Sequence, residues 1–214
     1  MAQKLMTETE IAAPVVAWLQ DQKWNVYQEV QPHRAGPIAD IVAEQQGRVW
    51  VIEVKKSMSL KLLSQAFKWV CWANWVSIAV PYRRLSDVAG RFCEGEGIGI
   101  IQVCSCAPPD VLVRAAPRLH RRLAATYLRD CLCPEMQSSV AGSQAGGHVT
   151  LFKLTCERLH EYVAGHPKAT MKAAVGGIGH HYAKDSTARA CLARWIRHGC
   201  VPGLVWDGHR LAIR

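Results

Sequence analysis

Three ionisable residues, Asp40, Glu53 and Lys55, have the types and the spacing that phosphodiester chemistry requires. Hydrolysis of a phosphodiester needs compensation of the phosphate charge, a deprotonated water and stabilisation of the leaving oxygen. Carboxylate oxygens that hold Mg²⁺ can serve all three needs, because hard cations prefer oxygen ligands. Two acids and a lysine on neighbouring strands could therefore hold such a cation and offset the charge of a phosphate.

A predicted hairpin brings these residues together. Two apolar runs, 39–43 and 49–56, flank the polar segment 44–48, whose glycine favours a tight connection. We expect the two runs to be antiparallel strands in which Glu44 pairs with Val49.

This register fixes the direction of each side chain. It places Asp40 opposite Glu53, and directly opposed residues share a face of the sheet. Because strand side chains alternate, Lys55 points the same way as Glu53, whereas Ile52 and Val54 point into the core. Three charged groups are thus predicted to converge beside an apolar strand.

The elements around this hairpin predict a mixed α/β fold. Apolar periodicity favours helices at 7–22 and 59–73, with strands at 24–30, 39–43, 49–55, 76–81 and 98–103. The order α-β-β-β-α-β argues for a mixed sheet flanked by helices.

The pattern changes after residue 103. A helix is predicted at 117–132, and a segment rich in Ser, Gly and Ala at 137–147 is the best candidate linker. Three further helices and a final hairpin around Asp207-Gly208 have the outline of a small winged helix. The predicted domains are 1–105 (catalytic core), 106–150 (connector with one helix and a flexible linker) and 151–214 (winged-helix-like domain).

These residues resemble the PD-(D/E)xK nuclease superfamily, whose fold is that of restriction endonucleases. Its pattern of an acid, a spacer and acid-x-Lys matches Asp40, Glu53 and Lys55. The stretch from Gln65 to Trp69 is similar to the Gln-x-x-x-Tyr element of the RecB-like branch, with Trp in place of Tyr. The core also resembles Holliday-resolvase-like members. The overall layout resembles bacterial and phage-associated proteins of this type, but the similarity is specific only in the first 80 residues.

The resemblance implies roles for the matched residues. Asp40 and Glu53, with the backbone carbonyl of Val54, would hold Mg²⁺ or Mn²⁺. Lys55 would orient the attacking water or help to deprotonate it, so Lys55→Ala should abolish cleavage and spare the fold. Gln65 belongs to the same catalytic set.

One further acid is expected to complete the metal site. Glu10 would project from the first helix, and Glu29 would lie in the strand beside Asp40. We favour Glu10 slightly.

Other interpretations stay open. Asp40, Glu53 and Lys55 could form only a surface charge network, since an acid opposite a Glu-x-Lys pair is often a cross-strand ion pair. The chain would then be a catalytically inactive DNA-binding or regulatory protein. An RNA-acting nuclease is a further alternative, because phosphodiester chemistry is the same in both polymers. Trp69 is expected to be a core residue.

The basic charge lies mainly at the C-terminal end. Residues 151–214 carry ten Lys and Arg against four Asp and Glu, and six of the nine histidines. This field suits a polyanion such as DNA. A winged helix reads DNA with its third helix and its wing. The candidate DNA-binding residues are Lys56, Thr187, Arg189, Arg194, Arg197, His209 and Arg210. A homodimer is possible, because double-strand cutting would favour two copies of the site.

Composition also excludes some classes of protein. The sequence has no long uncharged apolar stretch and no signal-peptide pattern at its start, so we expect a cytoplasmic protein without a membrane span. Its nine cysteines form no extracellular framework and are expected to be reduced. Cys104-x-Cys106 and Cys131-x-Cys133 lack the spacing of common zinc knuckles, which argues against structural Zn or an iron–sulfur cluster.

Overall fold

A computed structural model of the chain describes residues 6–32, 37–106, 109–121, 124–138, 141, 151–182 and 184–214. It contains two compact units, residues 1–149 (unit 1) and residues 150–214 (unit 2). No helix of the described residues is long and apolar enough to cross a membrane.

Unit 1 is a mixed α/β unit with a six-stranded sheet. Its elements in chain order are α1 (Glu8–Asp21), β1 (Asn25–Val30), β2 (Ala39–Gln45), β3 (Arg48–Val54), α2 (Leu60–Trp69), β4 (Trp75–Pro81), α3 (Asp87–Glu96), β5 (Gly99–Val103), β6 (Val111–Ala115), α4 (Ala124–Asp130) and a short 3-10 helix (Pro134–Ser138). The strand order is β1-β2-β3-β4-β5-β6. Strands β3, β4 and β5 run parallel, and the other neighbours are antiparallel.

The two faces of this sheet carry different elements. Ile52 and Val54 point to the face that packs on α1, where they join Ile11, Val15 and Leu19 in one apolar cluster. Helix α2 packs over β3 and β4 on the other face, and α3 packs over β5. Side-chain alternation therefore sends residues 53 and 55 of the β3 segment away from the α1 core.

Local sequence explains where the flanking helices begin. The Thr7 side chain accepts a hydrogen bond from the Glu10 N–H, and the Glu10 carboxylate accepts one from the Thr7 N–H, which makes a capping box for α1. Ser59 and Ser86 accept hydrogen bonds from the first turns of α2 and α3 in the same way as N-cap residues. Helix α3 ends at Gly97, which adopts the left-handed conformation with φ of 69°.

Unit 1 extends beyond the predicted boundary at residue 105. Strand β6 pairs with β5 as the sixth strand, and residues of the short 3-10 helix pack on β1. The backbone N–H of Ala141 donates to the Gln28 side chain. The predicted connector 106–150 is therefore wrong for its first part, which belongs to the sheet unit. Among the described residues of the predicted helix at 117–132, only α4 is helical, and residues 122 and 123 lie outside the described residues. Residues 139, 140 and 142–147 of the predicted linker lie outside them as well.

Unit 2 has three helices and a hairpin, in the order that the sequence predicts. They are α5 (Leu151–Gly165), α6 (Met171–Gly177), α7 (Asp185–Arg197), β7 (Leu204–Trp206) and β8 (Leu211–Ile213). Its core includes Leu159, Val163, Leu192, Ile196 and Leu211. This unit has its own apolar core, so it is a separate structural domain.

Candidate functional site

Asp40 lies in β2, and its side chain contacts the backbone of β3. The hairpin pairs Glu44 with Val49 and Ile41 with Ile52, so the predicted register is confirmed. Asp40 Oδ2 accepts a hydrogen bond from the Val54 N–H at 2.7 Å. Burial raises the pKa of Asp40, although the charge of a neighbouring lysine and the Val54 N–H oppose the shift. The sheet itself thus fixes the orientation of this carboxyl group.

Glu53 is the more deeply buried acid, with 1% of its surface exposed. Its Oε1 accepts a hydrogen bond of 2.7 Å from the indole Nε1–H of Trp69 in α2. Its Oε2 is buried and, when Glu53 is ionised, has no hydrogen-bond donor among the described residues, whereas a protonated Glu53 can donate to the Asp40 carboxylate. Burial, and then the charge of Asp40, raise the pKa of Glu53 to about 8. A carboxyl group in this position favours either a proton or a cation beside it.

Lys55 joins this pair to the first helix. Its ammonium lies 3.3 Å from Asp40 Oδ2 and 3.1 Å from Glu8 Oε2. Partial burial lowers the pKa of Lys55, but the carboxylates of Asp40 and Glu8 more than offset this, so its pKa is raised overall. Lys55 is therefore held as a cation between two strands and a helix.

The helix α1 acid at the cluster is Glu8, whereas the sequence favoured Glu10. The capping box holds the Glu10 carboxylate at the N-terminus of α1, where Oε2 accepts from the Thr7 N–H at 2.8 Å. Glu8 is two positions earlier and faces Lys55 instead. The Thr-x-x-Glu signature of the capping box was visible in the sequence and could have excluded Glu10.

Glu29 lies in β1 at the level of Asp40. Its neighbours Gln28 and Val30 pair with Ile41 and Ala39, so the register places Glu29 beside Asp40 in the next strand. Glu29 is buried and has a φ of 56°, which is strained for a residue with a side chain. Strained residues of this kind concentrate at functional sites.

The predicted site roles of Gln65 and Val54 rest on fewer contacts. Gln65 lies in α2 with its Oε1 buried and without a hydrogen-bond partner among the described residues. Val54 contributes its N–H to Asp40, and the role of its carbonyl oxygen stays a prediction. Trp69 is a core residue as expected, with 2% of its surface exposed. Its hydrogen bond to Glu53 was not foreseen.

The donor set suits a hard divalent cation. Among the described residues, no group of three or more His, Cys, Asp and Glu side chains could hold a metal ion. Two carboxyl groups are nevertheless enough for Mg²⁺, which usually keeps several waters and binds one or two carboxylates together with substrate phosphates. The Oε2 of Glu53, which is buried and has no hydrogen-bond donor among the described residues when Glu53 is ionised, is the observation that fits such an ion, because a buried anionic oxygen is costly without a partner.

The Trp69 hydrogen bond gives a testable expectation for stability. Trp69→Phe removes a donor from a buried carboxyl group, so we expect it to lower the free energy of unfolding in EDTA by about 1 to 3 kcal/mol. The loss should grow as pH rises through the Glu53 pKa of about 8, because the N–H stabilises the ionised form. Urea unfolding at two pH values measures both effects.

Trp50→Phe is the matched control for this expectation. Trp50 Nε1–H donates to the hydroxyl of Ser77 at 3.0 Å, an acceptor that does not ionise in this range. The stability lost in Trp50→Phe should be independent of pH. Equal pH profiles for the two variants would contradict the assigned coupling between Trp69 and Glu53.

Only some of the candidate DNA-binding residues of unit 2 line the same groove. Arg189, Arg194, Arg197 and His209 line one groove between α7 and the hairpin, and Arg197 lies 4.5 Å from the ring centroid of Trp206. Thr187 is exposed but does not line this groove. Lys172 and Ser186, which were not predicted, also line it.

Arg210 does not line that groove, and Lys56 belongs to unit 1. The Arg210 N–H donates a hydrogen bond to Asp207 Oδ1 at 2.7 Å within the hairpin turn. Arg210 also forms an isolated antiparallel β-bridge with Thr170. Lys56 follows β3 in unit 1 and is exposed. Helix α7 has Lys184 at its N-cap, without a side-chain hydrogen bond.

All nine cysteines are free thiols. Cys131 is buried, and its Sγ contacts the carbonyl oxygen of Pro32 at 3.9 Å. Burial raises the pKa of Cys131, so its thiol is neutral. No cluster of cysteine and histidine ligands occurs within the described residues.

Comparisons with known proteins add little. No protein-family model matches the chain, and no curated protein matches its sequence. Among solved structures, the chain is similar to a protein of unknown function from Silicibacter pomeroyi, with 16% identity and a TM-score of 0.41. That similarity covers 58% of this chain and 81% of the other. At this level it carries no information on function.

Proposed function

We propose that this chain is a metal-dependent nuclease of the PD-(D/E)xK type that hydrolyses DNA phosphodiester bonds. The observation that carries the proposal is the convergence of Asp40, Glu53 and Lys55 on one sheet, with Glu53 Oε2 buried and, when Glu53 is ionised, without a hydrogen-bond donor among the described residues. An arrangement that served only as a surface ion-pair network would have little reason to bury a carboxyl group in this way.

Asp40 and Glu53 would hold Mg²⁺ or Mn²⁺. The ion would supply charge compensation at the phosphate and acidify a bound water. Asp40 keeps its orientation through the Val54 N–H, and Glu53 through the Trp69 indole. This preorganisation fixes both carboxyl groups before substrate arrives.

Lys55 would act at the phosphate. Its ammonium is positioned by Glu8 and Asp40, and its raised pKa keeps it protonated at neutral pH. A fixed cation can orient the attacking water and stabilise charge that develops on the phosphate oxygens. Glu8 is then a positioning residue, because it touches Lys55 rather than the reacting atoms.

Unit 2 would bind DNA as a winged-helix-like domain. Its basic groove along α7 supports this role, because it combines arginine side chains with the hairpin turn. Phosphate contacts of this kind give affinity and register, and base contacts give specificity.

A catalytically inactive DNA-binding protein is the second candidate. The observation that favours it is the pairing of Lys55 with two carboxylates, which is also what a cross-strand ion-pair network would contain. An RNA-acting nuclease is a further candidate with the same chemistry.

Cleavage assays separate these candidates. Full-length protein is incubated with linear, circular, single-stranded and branched DNA and with a matched RNA strand, in Mg²⁺, Mn²⁺ or EDTA. Asp40→Asn is the isosteric control. Metal-dependent cleavage that the variant loses supports the nuclease, and the preferred strand distinguishes DNA from RNA. Binding without cleavage on every substrate would overturn the nuclease and leave the inactive DNA-binding candidate.

A further inference from the structure

Unit 1 has a basic groove that the candidate site does not use. It lies between the segment that follows β4, helix α3 and strands β5 and β6, and it encloses about 1020 Å³. Five arginines line it, against two acids, Asp87 and Glu94. We call it the arginine groove, and its arginines are Arg83, Arg84, Arg91, Arg114 and Arg118.

The arginines of this groove are not neutralised by neighbours. None of the five forms an ion pair with a carboxylate of the described residues, and all are exposed. Arg118 is anchored, because its Nη2 donates to the Gly95 carbonyl at 2.9 Å. Its guanidinium therefore sits at the C-terminal end of α3, where a cation is favoured. The remaining four are available to a ligand.

The floor of the groove is uncharged and rigid. Ile100 and Gln102 are buried there, and Gln102 Nε2 donates to the Arg83 carbonyl at 2.7 Å, which fixes the segment after β4. Burial raises the pKa of the Cys93 thiol to about 11, so it carries no charge at neutral pH. Arginines around a neutral floor of this size suit an extended anion, because a small ligand would be enclosed on more sides.

The sheet links the arginine groove to the candidate site. Glu53 pairs in register with Ile78, and Ile78 pairs with Ile100, so Glu53 and the groove floor lie in one row. Two strand spacings separate them, which is about 10 Å. Helix α2 packs over β3 and β4 in between.

The candidate site and the arginine groove both reach the edge where β3 and β4 end. The Lys55 N–H donates to the Ala79 carbonyl, which fixes the end of β3 against β4. Lys56 then follows β3, and Tyr82 and Arg83 follow β4 at the same edge. Parallel strands end on the same side of a sheet, so Lys56 and Arg83 place two exposed cations at this edge. The exposed ring of Tyr82 adds a surface on which a base can stack.

We propose that the arginine groove binds the phosphate backbone of a single nucleic-acid strand that continues from the candidate site. The choice of nucleic acid as the anion rests on the proposed function, whereas binding in the groove does not depend on cleavage. Guanidinium groups bind phosphate oxygens with charge-assisted, bidentate hydrogen bonds, and an unpaired arginine loses no ion pair when it does so. The groove would thus hold the strand beside the catalytic residues.

Salt-dependent binding tests this proposal. The probe is a labelled single-stranded DNA of mixed sequence, titrated with full-length protein in EDTA so that no cleavage occurs. The test variant combines Arg91→Gln and Arg114→Gln. The control combines Lys23→Gln and Arg48→Gln, which remove the same charge from exposed positions near the turn between β2 and β3.

The expected result is a weaker salt dependence in the groove variant only. Each lost phosphate contact lowers the slope of log K against log salt by about 0.7, so the double variant should lose about 1.4. An equal fall in the control would assign the effect to the general field of the protein and overturn the proposal. No fall in either variant would overturn it as well.

The nuclease proposal is read out separately. If the groove variant has a smaller salt slope but the wild type does not cleave, the arginine groove proposal stands and the nuclease proposal fails. If the wild type cleaves but the salt slope of the groove variant is unchanged, the nuclease proposal stands and the arginine groove proposal fails.

Discussion

Replacement of Lys55 by methionine is expected to slow metal-dependent cleavage by about 10² to 10³-fold, the range for removing one preorganised electrostatic donor. Methionine keeps the length of the aliphatic stem and removes the ammonium that lies 3.3 Å from Asp40 and 3.1 Å from Glu8. The fold should survive, because the ammonium is partly exposed and the buried Asp40, whose pKa rises further without the lysine charge, can take up a proton. Single-turnover cleavage at saturating Mg²⁺, with a thermal melt of each protein, is the measurement.

Lys56→Met is the matched control. Lys56 is the next residue, has the same charge and is exposed beyond the end of β3. We expect it to change cleavage only slightly and in a salt-dependent way. Equal rates for Lys55→Met and the wild type would reduce Lys55 to an ion-pair partner and would favour the inactive DNA-binding candidate.

Glu53→Gln is expected to stabilise the metal-free protein while it removes cleavage. In the folded protein the pKa of Glu53 is raised from about 4.5 to about 8, so the folded state binds the proton more tightly than the unfolded state. Stability should therefore fall as pH rises between these values, and glutamine avoids that fall. At pH 7, which lies 2.5 units above 4.5 and below the folded-state pKa, we expect a gain of at most about 3 kcal/mol, since one pKa unit is worth about 1.4 kcal/mol.

In Mg²⁺ the wild type should be more stable than Glu53→Gln, which is the reverse of the order in EDTA. A cation beside Asp40 and Glu53 relieves the buried charge, so Mg²⁺ should raise the melting temperature of the wild type more than that of Glu53→Gln. Melts in EDTA and in Mg²⁺ measure this, with Glu94→Gln on the exposed side of α3 as a charge-matched control. A Mg²⁺ shift of the same size in both variants and the wild type would place the ion elsewhere.

The hairpin of the site could be predicted well from the sequence. The glycine in the turn favours a tight connection, and only a register that pairs Asp40 with Glu53 puts both carboxyl groups on one face, because a slip by one residue would place them on opposite faces. The structure has this register. The positions of Glu8 and Glu10 could not be decided from periodicity alone, because both lie in the first turn of α1 and only the capping geometry separates them.

Two elements of unit 1 escaped prediction for physical reasons. Helix α3 contains Gly90 and Gly95, and its large apolar residues Val88 and Phe92 are exposed, so its buried stripe consists of the small residues Ala89 and Cys93. Strand β6 is an edge strand with exposed Leu112 and Val113, so it lacks the alternation of a half-buried strand. The arginine groove lies between these two elements and was therefore not visible in the sequence.

The backbone conformation of Glu29 suits glycine better than glutamate. A left-handed backbone costs an ordinary residue about 1 to 2 kcal/mol, and glycine would adopt it freely. The side chain of Glu29 is buried, however, so glycine would relieve the backbone strain and leave the space of that side chain empty. Backbone and side chain thus place opposite demands on residue 29.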